Sequence, residues 1–380
     1  MIASALSGRQ GLPAAARVVI KVGSSSLTGE DGRLDVNALK ALTEVIAARR
    51  AAGGQVVLVS SGAIAAGIEP LGLAARPADL ATAQAAASVG QGLLVAAYTQ
   101  AFAAHGLRVG QVLLTAEDTI RRVNYRNARR ALARLLDLGV LPIVNENDTV
   151  ATDEAKFGDN DRLAALVSHM VHADAMVLLT DVDALYDGPP AREGTHKISE
   201  VNGPADLEGI EITSAGSAVG TGGMVTKLAA AAIATGSGIP VVMTSANLAA
   251  EALAGKDVGT WFAATGRKRS RRLLWLAHAA ATRGRLVLDD GAVKAIKDGR
   301  ASLLPAGIIA VEGDFEAGDP VELVGVDGLV VARGLVSFDA TELPELLGRK
   351  TSWLRAKHGP GYDRAIVHRD DLVLVRRPRR

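Results

Sequence analysis

The chain has 380 residues, 48% of them hydrophobic and 3% aromatic, and carries a net charge of +1. That length suits two or three domains with an aliphatic core, and the near-neutral balance implies neither a nucleic-acid nor an acidic partner. Cysteine is absent, which excludes disulfides, thiolate zinc sites and cysteine nucleophiles and fits a reducing cytoplasm.

The opening segment MIASALSGRQGLPAAAR is rich in small residues, carries Arg9 in its middle and lacks a continuous apolar stretch. It reads as a frayed leader rather than a signal peptide. No run reaches the roughly 18 uninterrupted apolar residues of a membrane span, so no membrane is expected. Strand-like runs then lie at 17–22, 55–60, 107–114, 140–145, 175–180 and 239–244. Helix-like runs at 36–52, 79–104, 124–138, 160–172 and 224–236 alternate with them. Near-continuous apolar strands alternating with helices predict an α/β fold, a mostly parallel sheet sandwiched by helices. Ligands bind such sheets outside the carboxyl ends of the strands. The polar signals KVGSSS, VSSGA, VNENDT and LLTDVDALY close the strands at that edge.

The pattern changes after about residue 265. TGRKRSRRLLWLAH predicts a helical, basic linker over 266–283. The short runs GRLVLDD, GIIAVEG, DPVELVG, LVVARGLV and RAIVHRDDLVLV follow, punctuated by Gly and Asp, with one helix at GAVKAIKDG. They predict a small β-rich domain over 284–375, leaving 16–265 as the first domain.

Lys21 stands inside the apolar run RVVIKV and is followed by Gly23 and three serines. An ammonium group is expensive to bury. Lys21 is either an edge-strand lysine with its head in water or a lysine aimed into a turn whose N–H groups and hydroxyls bind an anion. A second anion signal is AVGTGGMVTK at 218–227, where a glycine-rich loop enters a helix beside Thr221, Thr226 and Lys227. Backbone donors at a helix N-terminus plus a lysine suit phosphate, although the order is not that of a Walker A loop. In PIVNENDTVATDEAKFGDNDRLAALVSHM, Asn145 to Asp148 end a strand, and Asp159, Asn160 and Asp161 open a helix as capping candidates. Such a carboxylate and amide cluster can hold an amine, orient lysines or reach a magnesium ion through water. Thr180 and Asp181 follow a buried strand, and VSSGAIAAG offers another anion or carboxylate site. Two lysines, glycine-rich turns and carboxylates at one sheet edge describe phosphoryl transfer, in which catalysis is mostly positioning and charge stabilisation.

KVGSSSLT, VSSGAIAAG, PIVNENDTV, FGDND, LLTDVDALY and GTGGMVTK occur in the order found in glutamate 5-kinases of the amino-acid kinase family, which the chain resembles from about residue 16 to 375. GRLVLDDGAVKAIKDGRASLLPAGI resembles the PUA domain attached to bacterial members. The resemblance implies transfer of the γ-phosphoryl group of ATP, with Mg2+, to the side-chain carboxylate of L-glutamate. The product is γ-glutamyl phosphate, the first intermediate of proline biosynthesis. By the same resemblance Lys21 and Lys227 contact phosphate, Asp159 orients them, and Ser61, Asp148 and Asn160 bind glutamate. Lys21, Thr180, Asp181, Thr221, Gly222, Gly223, Met224, Val225, Thr226 and Lys227 match the nucleotide site, and no dedicated metal ligand is implied. Feedback inhibition by proline, a homo-oligomer and a cytoplasmic location complete the expectation.

Other readings stand beside it. A kinase for another amino acid or for acetylglutamate shares the fold, but NEND, FGDND and the PUA-like tail argue against it. An RNA-binding role for the tail lacks a stripe of aromatic and basic residues suited to stacking. DGPPAREGTHKI departs from the family pattern on the nucleotide side. RRVNYRNARRAL suits an oligomer contact or a solvated helix face, and VRRPRR a solvated tail.

Overall fold

The computed structural model describes residues 6–29, 33–115, 118–119, 122–150, 160–190, 192, 194–210, 223–265, 282–298, 301–349, 353, 357 and 365–375. Two compact units, Met1–Arg269 and Ser270–Arg380, divide the chain. Of the linker expected over 266–283, residues 266–281 lie outside the described residues, as do residues 376–380 of the tail VRRPRR.

The first unit is built on an eight-stranded sheet. Its strands are β1 (Arg17–Val22), β2 (Gln55–Ser60), β3 (Val109–Leu114), β4 (Leu141–Glu146), β5 (Ala175–Thr180), β8 (Glu200–Val201), β9 (Val241–Ser245) and β10 (Thr260–Phe262), in the spatial order β3-β4-β2-β1-β5-β9-β10-β8. The pair β6 (Leu185–Tyr186) and β7 (Lys197–Ile198) forms a separate ribbon. All pairings in the large sheet are parallel except β9 with β10. The chain winds from β1 through β2 to β3 at the sheet edge, inserts β4 between β3 and β2, then crosses to lay β5 on the other side of β1. The switch point of the sheet therefore lies between β1 and β5, where a crevice at the carboxyl ends can take a ligand.

Side chains alternate across a strand, and that sorts β1. Val18, Ile20 and Val22 face a core shared with helix α1 (Val36–Ala51) and helix α3 (Leu80–Ala103), with Leu39, Ile46, Leu94, Tyr98 and Phe102 fully or nearly fully buried. Val19 and Lys21 face the opposite side. Between α1 and α3 comes the short α2 (Ala63–Ile68), entered through Gly62 at φ 105°, a left-handed conformation that favours glycine. Helix α3 has the length and composition to cross a membrane. Gln84, Gln91, Thr99 and Gln100 interrupt its apolar run, and in this fold it packs on α2 and on the core over β1. Helices α4 (Arg122–Asp137), α5 (Asn160–Met170), α6 (Met224–Gly236) and α7 (Ala249–Leu253) belong to the same unit.

The opening segment departs from its expectation as a frayed leader. Residues Arg9–Ala14 form a 3-10 helix with Leu12 fully buried. Arg9 donates to the carbonyls of Val258, at 3.0 Å, and Ser199, and pairs with Asp257 at 2.6 Å. A lone arginine among small residues carries no periodic signal, so only the carbonyls it meets in three dimensions reveal the clasp.

The second unit carries the sheet β12-β11-β13-β14-β15, built from β11 (Gly284–Leu288), β12 (Ile308–Gly313), β13 (Pro320–Gly325), β14 (Val330–Val336) and β15 (Val367–Leu374). Only β11 with β13 is parallel. Helix α8 (Asp290–Lys297) is capped by Asp289, which accepts from Ala292 N at 2.6 Å. The short α9 (Leu343–Leu346) joins a core of Leu286, Leu288, Ile296, Leu323 and Phe338.

Candidate active site

Lys21 is 2% exposed, so the edge-strand reading fails: β1 is central, flanked by β2 and β5. Its side chain leaves the sheet on the face opposite the α1–α3 core and curls toward the following turn. A Cβ built on Gly23 would lie 3.5 Å from Lys21 Nζ. On that face the first turn of α5 supplies Asp161, 1% exposed, whose Oδ1 stands 2.5 Å from Lys21 Nζ. The first turn of α6 supplies Lys227, whose Nζ lies 3.2 Å from Asp161 Oδ2. Thr226 Oγ1 donates to Gly223 O at 2.8 Å and lies 3.5 Å from the same carboxylate oxygen. One buried carboxylate thus aims two ammonium groups, from β1 and α6, at one place beside the switch point.

This arrangement answers the cost of burying Lys21. A buried charge persists when it is paired and hydrogen-bonded. Two cations around one anion also leave the cluster suited to a further negative group, such as phosphate oxygens. The family resemblance gives the orienting role to Asp159, which lies outside the described residues. The acid that bridges both lysines is Asp161, two positions on, which the sequence suggested only as a helix-capping candidate. Thr221 and Gly222 also lie outside the described residues. Gly223 precedes α6, Met224 is half-buried and Val225 is exposed.

A second constellation lies at the ends of β2 and β4. Asn160, 7% exposed at the start of α5, donates through Nδ2 to Ser60 O at 2.8 Å, Asn145 Oδ1 at 2.7 Å and Ser61 Oγ at 3.1 Å. Asn145 donates to Gln91 Oε1 at 2.6 Å. Ser60 Oγ meets the Tyr98 hydroxyl at 2.9 Å, and burial pushes that hydroxyl's pKa up, against the opposing effect of its hydrogen bond with Ser60. The predicted pair Ser61 and Asn160 is therefore brought together, while Asp148 follows β4 in a half-buried turn. Gln91 and Tyr98 join this network without a signal in the sequence, since a glutamine and a tyrosine in a long alanine-rich helix mark no site. At the end of β5, Thr180 is buried and donates to Asp181 Oδ1 at 2.8 Å, with Asp181 exposed. Arg162, beside Asp161, has its pKa lowered by desolvation.

A model of the amino acid kinase family matches residues 16–245, and a model of the PUA domain matches residues 284–357. The glutamate 5-kinase of Streptomyces avermitilis is 62% identical over 371 residues, covering 97% of this chain and 99% of its own length. That of Streptomyces coelicolor is 63% identical over 368 residues, covering 97% and 98%. A solved carbamate kinase from Giardia lamblia aligns with a TM-score of 0.49 at 20% identity, over 66% of this chain and 99% of that one.

Proposed function

We infer the reaction from descent: the chain belongs to the amino acid kinase family and matches its glutamate 5-kinases over nearly its whole length. It transfers the γ-phosphoryl group of ATP to the γ-carboxylate of L-glutamate, giving γ-glutamyl phosphate at the head of proline biosynthesis. The observation that carries this chemistry is the Lys21–Asp161–Lys227 cluster at the sheet's switch point. The transferring phosphoryl spreads negative charge over its oxygens, and two lysines already oriented by a carboxylate stabilise that charge with little reorganisation.

In this reading Ser61, Asp148 and Asn160 hold glutamate, and Asp148 pairs with the α-ammonium group. Thr180, Asp181 and the loop from Thr221 to Lys227 hold the nucleotide. Support for the first set comes from the Ser61–Asn160 hydrogen bond at the start of α5, the helix that also carries Asp161. Support for the second comes from Gly223 opening the helix that carries Lys227. Magnesium enters as part of the nucleotide substrate. Among the described residues no group of three or more His, Asp or Glu side chains could hold a metal ion. Both Asp161 oxygens face ammonium groups, so the donor set suits a metal carried on phosphate and water rather than one held by the protein. Inhibition by proline, a homo-oligomer and a cytoplasmic location belong to the same reading, the last in keeping with the absence of cysteine. The test is ADP release with glutamate, aspartate and acetylglutamate as acceptors. Turnover should depend on glutamate, and equal or better turnover with either of the others would defeat the substrate assignment.

A further inference from the structure

Helix α3 approaches α2 so closely that a Cβ on Gly90 would lie 1.9 Å from the Ala63 carbonyl oxygen. This contact fixes the next residue, Gln91, at the carboxyl end of β4. Gln91 Oε1 accepts from Asn145 Nδ2 at 2.6 Å. Asn145 Oδ1 accepts in turn from Glu146 N at 2.9 Å and from Asn160 Nδ2 at 2.7 Å. The other hydrogen of Asn160 Nδ2 goes to Ser60 O, with Ser61 Oγ close by. Both hydrogens are then used, and Asn160 Oδ1 is buried without a hydrogen-bond partner.

Three amides in series have a direction. Each offers an acceptor to the next donor, and reversing one sets donor against donor or acceptor against acceptor. An unmatched acceptor in a buried place is unfavourable unless something arrives to donate to it. The α-ammonium group of an amino acid has donors only. We propose that Gln91 is a positioning residue for the acceptor pocket: it holds the Asn145 amide, which holds the Asn160 amide, so that Asn160 presents Oδ1 and not Nδ2 to the amino-acid substrate. The proposal rests on the assignment of Ser61 and Asn160 to the glutamate pocket.

Gln91→Met removes the acceptor at nearly constant volume. Its glutamate KM should rise about tenfold, the scale of one net hydrogen bond, while kcat and the ATP KM stay within about twofold. In an Asn160→Ala background the same substitution should change the glutamate KM by less than about twofold, because the residue through which it acts is gone. An unchanged glutamate KM in Gln91→Met, a loss confined to kcat, or a full tenfold effect in both backgrounds would overturn the proposal. Should Gln91→Met fail to fold, Gln91→Asn, one methylene too short to reach Asn145, carries the same expectations. Asn160→Ala alone separates the two levels. An unaltered glutamate KM in that variant defeats the pocket assignment, whereas a raised KM there with none in Gln91→Met defeats only the role of Gln91.

Discussion

In the N-terminal unit Lys21, Glu146, Asp161 and Lys227 are each less than a tenth exposed, and all sit at the carboxyl edge of the sheet or in the first helical turns above it. Among the described residues of the C-terminal unit one charged side chain, Glu322, is buried to that degree, held between Arg285 at 3.2 Å and Arg333 at 3.3 Å. The first unit also buries Arg9 and Arg49, but these serve the fold. Arg49 donates to the carbonyls of Pro13, at 2.7 Å, and Ala15, and burial lowers its pKa. Arginine suits that fixed multi-donor task, whereas a lysine is a point charge that can face a moving phosphoryl group. Buried charge costs stability, and its concentration at one sheet edge is what the proposed reaction would account for. The other unit is cored by aliphatic and phenylalanine side chains, and none of the residues assigned to the proposed reaction lies in it.

The largest expected effect removes the shared acid. Asp161→Ala leaves two buried ammonium groups without the carboxylate that aims them. Breaking a buried pair costs about 3–5 kcal/mol, and loss of aligned charge stabilisation lowers kcat by about 10²–10³. Denaturant melts and saturated turnover check both. A folded variant with near-normal kcat would remove the cluster from the reaction and erase the contrast between the units.

Asp148→Ala should act on one substrate only. A charge-assisted hydrogen bond to the α-ammonium group contributes about 1.5–3 kcal/mol, so the glutamate KM should rise by about tenfold or more with the ATP KM little altered. A raised ATP KM with glutamate unaffected would reverse the assignment.

Phe338→Ala sharpens the comparison from the other side. Phe338 is 2% exposed in the C-terminal core, and truncating such a residue costs about 3–5 kcal/mol. That stability loss is similar to the one from Asp161→Ala, yet kcat should stay at its full value below the melting of the C-terminal unit. Loss of turnover in proportion to loss of stability would show that the two units do not act separately.

The parallel sheet was legible because its strands are near-continuous apolar runs closed by polar residues: β1, β2 and β5 fall where the pattern puts them. The strand ends also carried Lys21, Ser61 and Thr180 in plain view. What was hidden depended on partners far along the chain. Asp161 lies 140 residues from Lys21 and 66 from Lys227, and within GDND nothing local separates it from Asp159. The antiparallel β10 is three residues long, too short for a period to register. Gln91 emerges only once Gly90 has brought α3 against α2.

The smallest expected effect on turnover comes from the largest cut. A chain ending at residue 265 should keep kcat and both KM values near those of the full chain, with altered assembly or altered response to proline. Every residue assigned to phosphate, nucleotide or glutamate precedes that point. The described core of the N-terminal unit is built from residues before that point: Trp261 is 2% exposed within the cluster that includes Val18, Leu58 and Val242. Among the described residues the C-terminal unit gathers its own cluster, from Leu286 to Leu372. Units with separate cores can fold separately. ADP release, proline titration and size-exclusion profiles of the two chains measure the difference. A truncated protein that is folded yet inactive at saturating ATP and glutamate would show that the second unit completes the active site, and that the absence of buried charge there was the wrong mark by which to exclude it.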